Sequence, residues 1–543
     1  MKRHLILTLL SALLLSLPWF ESFSGLLLLI AFVPLLLVEQ QHTQVNKRGL
    51  WRYVALCFFV WNAATTWWIM HATVGGMLFA ITANTAQMTF VFMLARWVKK
   101  KTSPPVGYTA LVAFWVTWEY FYLNAEISWP WLTLGNGLAK DIALIQWYEL
   151  VGTLGGSLWI LLINVLLFNL LQKYSLQRKG EVQRQKSSGK WVFLFSPTAQ
   201  LCLIALLIAT PITYSLIRYY TYKEQGSPCH VAILQPNIDP YTEKFNKRNY
   251  HQQRNIILAL ADSSLTVETD YVIAPETAFE GSMWENTLAQ HHIVLRLRKF
   301  CEQRPRVKFI TGATTLYQYE ENEKLSPTAR QFQDAPYFYD IYNSALQIDT
   351  SPVVETYHKS KLVVGVEMLP YPKYLKLLNT LAINLGGTAG GLGTQPERSI
   401  FGNDSSKFKP GVAICYESIF GEYYAEYVQK GANLMFIITN DGWWRNTPGY
   451  RQHLHYASLR AIETRRSIAR SANTGISAII NQRGQIEQHT DWWVRAAISG
   501  TINTNSHSTP YVRTGDAAAR IASMLSILIG LYTLSITFRK KNG

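Results

Sequence analysis

Three polar residues of this sequence lie at the ends of strand-like segments, and their types suit nucleophilic catalysis. Glu276 follows the apolar residues 271–274, Lys359 lies in an alternating segment, and Cys415 follows the apolar residues 412–414. Side chains at the ends of neighbouring strands can meet at one edge of a sheet. A carboxylate, an ammonium group and a thiol that met there would supply a general base, a cation and a nucleophile.

Cys415 has the sequence context of a nucleophile. The segment 408–421, FKPGVAICYESIFG, begins with a turn signal and changes from strand-like to helical spacing at the cysteine. A thiol at a helix start lies beside outward-facing N–H groups and the positive end of the helix dipole, so we expect it to be exposed with a lowered pKa. The alternative is a buried structural cysteine, because free cysteine is among the most buried residue types.

Composition and charge indicate a membrane protein. The chain has 543 residues, enough for more than one domain, and 49% of them are hydrophobic while only 16% are charged. Its net charge is +16, but the basic residues cluster in short loops between apolar segments. That pattern is the one expected at a membrane, so we predict no nucleic-acid partner. The sequence has neither CxxC nor HExxH and predicts no metal site.

Apolar segments predict about eight membrane spans. The first two are short for a span, which needs about 20 residues. No small-residue cleavage site follows the first one, so we predict a span there rather than a signal peptide. The predicted spans cover approximately residues 5–20, 25–38, 54–70, 75–97, 106–123, 153–171, 199–217 and 517–538.

The distribution of Lys and Arg predicts the orientation of these spans. With the N-terminus inside, the inner loops hold eighteen Lys or Arg residues and the short outer loops hold only Lys140. Both termini are then cytoplasmic, and the large soluble segment faces outward, into the periplasm of a Gram-negative cell. We predict a transmembrane domain of seven spans at 1–221, a periplasmic catalytic domain at 222–513, and a last span with a basic tail at 514–543.

The soluble segment alternates strands and helices, which favours an α/β domain, with one sheet or a two-sheet core. Whether Cys229 and Cys301 form a disulfide is left open by the sequence. The predicted strands are 230–235, 271–274, 308–313, 343–348, 412–414, 434–439 and 476–480, and the predicted helices are 250–261, 285–301, 423–430 and 449–466.

In the order Glu, Lys, Cys, the three segments resemble the nitrilase (carbon–nitrogen hydrolase) superfamily. The form CYE at 415–417, with Glu367 eight residues after Lys359, is similar to that of the bacterial apolipoprotein N-acyltransferases. The resemblance implies an αββα sandwich domain joined to membrane helices in the bacterial inner membrane. The chain departs from the family at 364–366, where Val-Gly-Val replaces a common Pro-Phe-Gly run.

The resemblance also implies roles for individual residues. Cys415 is the expected nucleophile, Glu276 the general base, and Lys359 the cation that stabilises the oxyanion together with the backbone N–H of Tyr416. A carboxyl group titrates near 4, so we expect a partly desolvated site that raises the pKa of Glu276. Glu367 is expected to orient Lys359 or balance its charge.

Other residues are expected to support the site. Glu417 belongs to the CYE segment, Phe245 follows the QPNI segment, and Trp443 lies in the NDGWW segment at the expected rim. Trp129 and Trp131, in an outer loop, suit a membrane interface, and the resemblance places their loop beside a lipid entrance. Simple interfacial anchoring is the alternative for all of these tryptophans.

The activity implied by the resemblance is transfer of an acyl chain from a membrane phospholipid, through a thioester on Cys415, to the α-amino group of the diacylglyceryl-cysteine of an apolipoprotein. It implies ping-pong kinetics, no cofactor, no metal, and a monomer in the lipid bilayer. A membrane-tethered amidase or nitrilase with the same three residues is an alternative. A lipid-binding or transport protein with an inactive domain is another, although the spans hold few ionisable residues of the kind that mark ion pathways.

Overall fold

The structure is a computed structural model that describes residues 2–44, 48–178, 196–224, 226–244, 246–279, 281–332, 335–368 and 391–542. Phe245 lies outside the described residues.

The α-helices are α1 Lys2–Ser16, α2 Leu28–Ala31, α3 Val33–Gln44, α4 Leu50–Thr66, α5 Val74–Lys101, α6 Pro104–Asn124, α7 Tyr148–Arg178, α8 Pro197–Thr221, α9 Tyr250–Ser264, α10 His292–Glu302, α11 Gly421–Gln429, α12 Pro448–Thr464, α13 Pro510–Thr514 and α14 Ala517–Asn542.

Six helical segments within the described ranges are long and apolar enough to cross a membrane. The prediction of about eight spans is slightly higher than this number. The predicted spans 5–20 and 106–123 do form helices α1 and α6, but neither is among the six. Helix α1 has 15 residues and a length of about 22 Å, less than the bilayer core of about 30 Å. Helix α6 carries Glu119 and several Trp and Tyr residues, which lower its hydropathy. The six segments are Gly25–Thr43, Leu50–His71, Val74–Lys101, Tyr148–Tyr174, Pro197–Thr221 and Ala517–Arg539.

Two β-sheets form the centre of the soluble domain. The first has the order β13-β1-β2-β4-β6-β5, with β3 beside β4 and β7 beside β6, and the second has the order β12-β11-β10-β9-β8. The strands are β1 Pro228–Gln235, β2 Tyr271–Ile273, β3 Ser282–Trp284, β4 Lys308–Gln318, β5 Arg330–Gln331, β6 Phe338–Ile348, β7 Glu355–His358, β8 Pro410–Ile414, β9 Leu434–Thr439, β10 Ile468–Ala472, β11 Ala478–Ile480, β12 Ile486–His489 and β13 Ala496–Asn503.

Strand β1 shows how the layers pack. Successive side chains of a strand point to opposite faces of its sheet. Val231 and Ile233 therefore join the core shared with the second sheet, while Ala232 and Leu234 join a second core with residues of α9 and α10. Helices α11 and α12 cover the other sheet, and α12 also packs against α7 of the membrane bundle. The four-layer αββα sandwich is confirmed, and one helical layer lies against the membrane helices.

Cys229 and Cys301 are both buried and free in this fold. Cys229 lies in β1 at the core shared by the two sheets, and Cys301 lies in α10 with its Sγ 3.6 Å from the carbonyl oxygen of Ile348. The two thiols belong to different cores on the two faces of the first sheet.

Candidate active site

Cys415 lies at a sharp turn between a buried strand and a helical segment. Every residue of β8 is buried, and a short 3-10 helix, Cys415–Ile419, follows before α11 begins at Gly421. Cys415 itself has φ +52°, a left-handed conformation that is uncommon for residues other than glycine. Such conformations persist where the surrounding structure imposes them, often at functional sites. The predicted position at a strand end is confirmed, and the cysteine is partly exposed.

The expected lowering of the Cys415 pKa is wrong for the resting site. Burial and the negative charge of Glu276 raise the pKa of this thiol well above its ordinary value, although Lys359 and a hydrogen bond with Thr439 act in the opposite direction. The short 3-10 helix does not compensate for these effects. The thiol is therefore protonated at neutral pH, and a base must remove its proton before it can attack.

Glu276 follows β2 and has a buried side chain. Its Oε1 accepts hydrogen bonds from Lys359 Nζ at 3.0 Å and from Asn343 Nδ2 at 2.7 Å. Burial raises the pKa of Glu276, but the positive charges of Lys359 and Lys244 outweigh it, so the pKa lies below its ordinary value. The site is desolvated as expected, but the expected rise of this pKa is wrong: Glu276 is ionised and ready to accept a proton.

Lys359 comes directly after β7 and is 1% exposed. Its backbone N–H donates to the carbonyl oxygen of Asn343 at 2.8 Å, and its Nζ donates to Glu276 and, at 2.8 Å, to Glu367 Oε1. Burial lowers the pKa of Lys359, but the two carboxylates outweigh it and raise the pKa well above its ordinary value. Lys359 is therefore a fixed positive charge.

Glu367 reaches Lys359 because the chain reverses between them. Gly365 has φ +81°, and the carbonyl oxygen of Val363 accepts hydrogen bonds from the N–H groups of the turn. Glu367 Oε2 accepts a hydrogen bond from Val363 N at 2.8 Å, which fixes the carboxylate in place. The substituted Val-Gly-Val run thus still brings Glu367 to Lys359, in the arrangement predicted for orienting it or balancing its charge.

Two polar residues of this site were missed by the sequence analysis. Asn343, in β6, donates from Nδ2 to both Glu276 and Glu367, the latter at 3.2 Å. Lys244 donates from Nζ to the carbonyl oxygen of Glu276 at 3.2 Å and to Thr277 Oγ1 at 2.7 Å. Burial lowers the pKa of Lys244 to about 8, although electrostatic interactions with Glu276 and Cys415 act to raise it. No local pattern in the sequence singles out Asn343, because every residue from 343 to 348 is buried.

Comparisons with known proteins give matches for both parts of the chain. A sequence model of carbon-nitrogen hydrolases matches residues 230–509, more than half of the chain. The chain belongs to the carbon-nitrogen hydrolase family. A model of the apolipoprotein N-acyltransferase N-terminal domain matches residues 11–166, within the helical part of the chain.

Individual relatives of this carbon-nitrogen hydrolase match it over nearly its whole length. The apolipoprotein N-acyltransferase of Chlorobaculum tepidum is 25% identical over 524 residues, covering 94% of this chain and 92% of that protein. The apolipoprotein N-acyltransferase of Geobacter metallireducens is 25% identical over 531 residues, covering 95% and 93%. Among solved structures, an amidase from Nesterenkonia sp. is 14% identical, with a TM-score of 0.34, and covers 55% of this chain and 97% of its own.

In this carbon-nitrogen hydrolase domain, Glu417 is hydrogen-bonded to both of the segments that carry Cys415 and Lys359. Its side chain is fully buried. Its two oxygens accept hydrogen bonds from six groups, among them the N–H of Ile414 at 2.8 Å and that of Ser360 at 2.7 Å. Those residues immediately precede Cys415 and follow Lys359. The remaining donors are Lys361 N, Tyr357 OH, Tyr423 OH and Tyr427 OH.

Replacing Glu417 with Gln is expected to lower both stability and activity. A glutamine side chain would turn its NH₂ group toward the backbone N–H of either Ile414 or Ser360, which only donate, so at least one donor would lose its partner, at a cost of about 1–3 kcal/mol in the free energy of unfolding. Thermal unfolding of the purified protein measures this loss. Tyr427→Phe, which removes one long hydrogen bond of 3.4 Å to Glu417, is the control and should cost less than about 1 kcal/mol. Equal losses in the two variants would contradict this account.

The other predicted supporting residues of this hydrolase domain lie toward the membrane helices. Tyr416 is buried, donates from its hydroxyl group to the carbonyl oxygen of Ser128 at 3.0 Å, and stacks on Trp129 with ring centroids 6.1 Å apart. Trp443 lies beside Tyr241, whose hydroxyl group donates to the Trp443 carbonyl oxygen at 2.7 Å. The side chain of Tyr416 thus lies at the boundary with the membrane helices, and so does Tyr241, whose hydroxyl group also donates to the carbonyl oxygen of His71 at 3.0 Å.

Trp131 is part of that boundary rather than an exposed anchor. It is fully buried and donates from Nε1 to Gln452 Oε1 of α12 at 2.6 Å. Its ring also contacts those of Trp68, Trp129 and Trp444. The outer loop is therefore packed under the hydrolase domain, and interfacial anchoring does not describe Trp131.

Proposed function

We propose that this chain is an apolipoprotein N-acyltransferase. It takes an acyl chain from a membrane phospholipid onto Cys415 and passes it to the α-amino group of the diacylglyceryl-cysteine of an apolipoprotein. The observation that carries the proposal is the position of a carbon–nitrogen hydrolase site directly on membrane-spanning helices. Tyr416, adjacent to the nucleophile, is bonded to Ser128 of the loop between those helices. The two relatives that match over nearly the whole chain carry the same name.

The domain arrangement belongs to the same proposal. Residues 1–221 and 514–543 form the membrane part, and residues 222–513 form a catalytic domain on the periplasmic side of the bacterial inner membrane. With α1 and α6 counted as spans, the excess of Lys and Arg in the inner loops supports this orientation. The acyl donor is a lipid and the acceptor carries a lipid, so a monomer working at the membrane surface lets both stay in the bilayer.

In the first half-reaction, Glu276 takes the proton of the Cys415 thiol, and the thiolate attacks the ester carbonyl carbon of the phospholipid. A carbon–sulfur bond forms, and the negative charge on the carbonyl oxygen is stabilised by the Lys359 ammonium group and the Tyr416 N–H. Collapse of this intermediate breaks the bond to the lysophospholipid oxygen. Glu276 returns its proton to that oxygen, which leaves an acyl thioester on Cys415.

In the second half-reaction, the acceptor amine attacks the thioester carbonyl carbon and Glu276 takes a proton from the amine nitrogen. The same two donors stabilise the oxyanion. The carbon–sulfur bond then breaks, the amide is released, and the proton on Glu276 restores the Cys415 thiol. Glu276 therefore acts alternately as base and acid, and Lys359 keeps its charge throughout.

Intact mass spectrometry of the purified protein tests the proposal. Incubation with phospholipid and no acceptor should add the mass of one acyl chain, which hydroxylamine removes and which Cys415→Ala does not acquire. Later addition of a diacylglyceryl-cysteine peptide should return the protein to its original mass and acylate the peptide. Release of free fatty acid or ammonia without acylation of the peptide would instead support the membrane-tethered hydrolase.

A further inference from the structure

A buried histidine lies directly behind the nucleophile. His453, in α12, places Nε2 3.2 Å from the carbonyl oxygen of Cys415 and 3.0 Å from Ser418 Oγ. Ser418 Oγ donates to the same carbonyl oxygen at 2.8 Å. His453 and Ser418 are each 1% exposed. Two side chains from different helical segments thus converge on one backbone oxygen.

The other side of the His453 ring is held by charged groups. Its Nδ1 lies 3.0 Å from Asp441 Oδ1, and Asp441 Oδ2 accepts from Arg470 Nη2 at 2.5 Å. Arg470 and His453 outweigh burial and hold the pKa of Asp441 below its ordinary value, so Asp441 is ionised. The rings of Trp131 and Trp444 lie 5.9 and 5.6 Å from the imidazole ring and restrict its movement.

The Cys415 carbonyl oxygen beside Nε2 can only accept, so a proton on Nε2 lets the ring donate to it. On the other side of the ring, Nδ1 lies 3.0 Å from an acceptor, Asp441 Oδ1, and 3.2 Å from a donor, Arg470 Nη2. The Ser418 hydroxyl group remains free to donate to the same carbonyl oxygen. The imidazole ring and the hydroxyl group can thus both donate to the carbonyl oxygen of Cys415.

We infer that His453 and Ser418 position the Tyr416 N–H for the oxyanion by anchoring the carbonyl group of Cys415. The peptide unit is planar and trans, so this carbonyl group and the N–H of Tyr416 point in opposite directions. Holding the oxygen toward α12 turns the N–H away from α12, to the side on which the Cys415 thiol meets Glu276 and Lys359. The left-handed φ of Cys415 is a strained conformation, and the hydrogen bonds to its carbonyl oxygen help to hold it. This inference rests on the proposed function and adds positioning residues to it.

The test compares two reactions of the same thiol. Acylation by phospholipid forms a tetrahedral oxyanion, whereas alkylation by iodoacetamide does not, so only acylation needs the Tyr416 N–H. We expect His453→Leu to slow acylation by about 100-fold, as for loss of an oxyanion donor. His453→Gln keeps a donor near the position of Nε2 and should stay within about tenfold of the unmodified protein. Ser418→Ala should slow acylation by about tenfold, because one of the two donors remains.

Acylation is followed by intact mass with phosphatidylethanolamine and phosphatidylglycerol in mixed micelles, and alkylation by the same method. Alkylation should stay within about threefold in all three variants, because the groups that act on the pKa of the thiol, Glu276, Lys359, Asp441 and Thr439, are all retained. His455→Leu is the matched control: this neighbour on α12 contacts Glu21 instead and should leave both rates unchanged.

Each outcome decides the inference. Parallel loss of acylation and alkylation would mean that His453 only supports the fold, and would overturn it. Unchanged acylation in His453→Leu, or a Gln variant as slow as the Leu variant, would overturn it too. If the unmodified protein were alkylated but took up no acyl chain, the proposed function itself would fail and the inference would fall with it.

Discussion

Glu276→Gln is expected to slow acylation of Cys415 by about 1,000-fold and, at the same time, to make its thiol more acidic. The first effect follows from loss of the general base. The second follows from electrostatics, because the negative charge of Glu276 raises the pKa of Cys415 while Lys359 lowers it. The Gln variant removes the negative charge that raises the pKa of Cys415 and keeps the Lys359 charge that lowers it. A more reactive thiol in a nearly inactive enzyme is therefore the expected result.

Two measurements on the same preparation separate these effects. Intact mass after incubation with phospholipid gives the acylation rate, and the pH dependence of iodoacetamide alkylation gives the acidity of the thiol. In the Gln variant the midpoint of the alkylation profile should move to lower pH. Glu355→Gln is a suitable control, because Glu355 is half-buried in the same sheet and bonded to Gln347 and Gly402 rather than to the site. An unchanged midpoint, or acylation close to the original rate, would contradict the role of Glu276.

The reason that the sequence predicted the wrong direction for the thiol pKa lies in the fold. The local pattern around Cys415 correctly indicates a strand followed by a helical segment, and a helix start alone favours a thiolate. However, Glu276 and Lys359 come from distant parts of the chain, and their opposed charges meet at the thiol only after folding. The types of the reacting residues were thus predictable, but their ionisation depended on packing.

The fold was predictable where strands are apolar. All seven predicted strands are present, and most of them are short runs of buried apolar residues between turn signals. Strand β10 was missed since Arg470 and Ser471 interrupt its pattern. Both are buried; Arg470 donates to Asp441, and Ser471 donates to the carbonyl oxygen of Leu234. Those partners lie far away in the sequence, so periodicity cannot reveal this strand.

The supporting residues were harder to predict for the same reason. Asn343 and His453 lie within an ordinary strand and an ordinary helix, and no local pattern distinguishes them from other polar residues there. Their importance comes from partners on other elements, Glu276 and Glu367 for Asn343 and the Cys415 carbonyl oxygen for His453. In contrast, Glu276, Lys359 and Cys415 could be found because each lies where a strand ends.

Lys359→Met is expected to destabilise the protein as well as inactivate it. The ammonium group lies between Glu276 and Glu367, and all three side chains are largely buried. Without it, two carboxylates face each other around Asn343. Removing one partner from a buried ion pair leaves an uncompensated charge and costs about 3–5 kcal/mol in the free energy of unfolding. Acylation should fall by about 100-fold or more, because the cation that stabilises the oxyanion is lost.

The destabilisation should depend on pH in a specific direction. In the unmodified protein the pKa of Glu276 is lowered, so its contribution to stability is present above the ordinary value of about 4 and is lost only as the pH falls below it. In the Met variant, burial and the facing carboxylate raise the pKa instead. In this variant Glu276 takes up a proton when the protein folds. The free energy of unfolding of the variant is therefore retained at low pH and falls as the pH rises. The difference in melting temperature between the two proteins should therefore grow from about pH 5 to pH 8.

A double variant shows whether the facing carboxylates cause this effect. Lys359→Met with Glu367→Gln removes one of the two charges, so it should recover part of the melting temperature and reduce its dependence on pH. It should not recover acylation, because the cation is still absent. A difference that is constant with pH, or a double variant less stable than the single one, would contradict the charge arrangement. Recovery of stability without activity would show that Lys359 has two separable functions: it neutralises two buried carboxylates, and it supplies the positive charge on which the oxyanion depends.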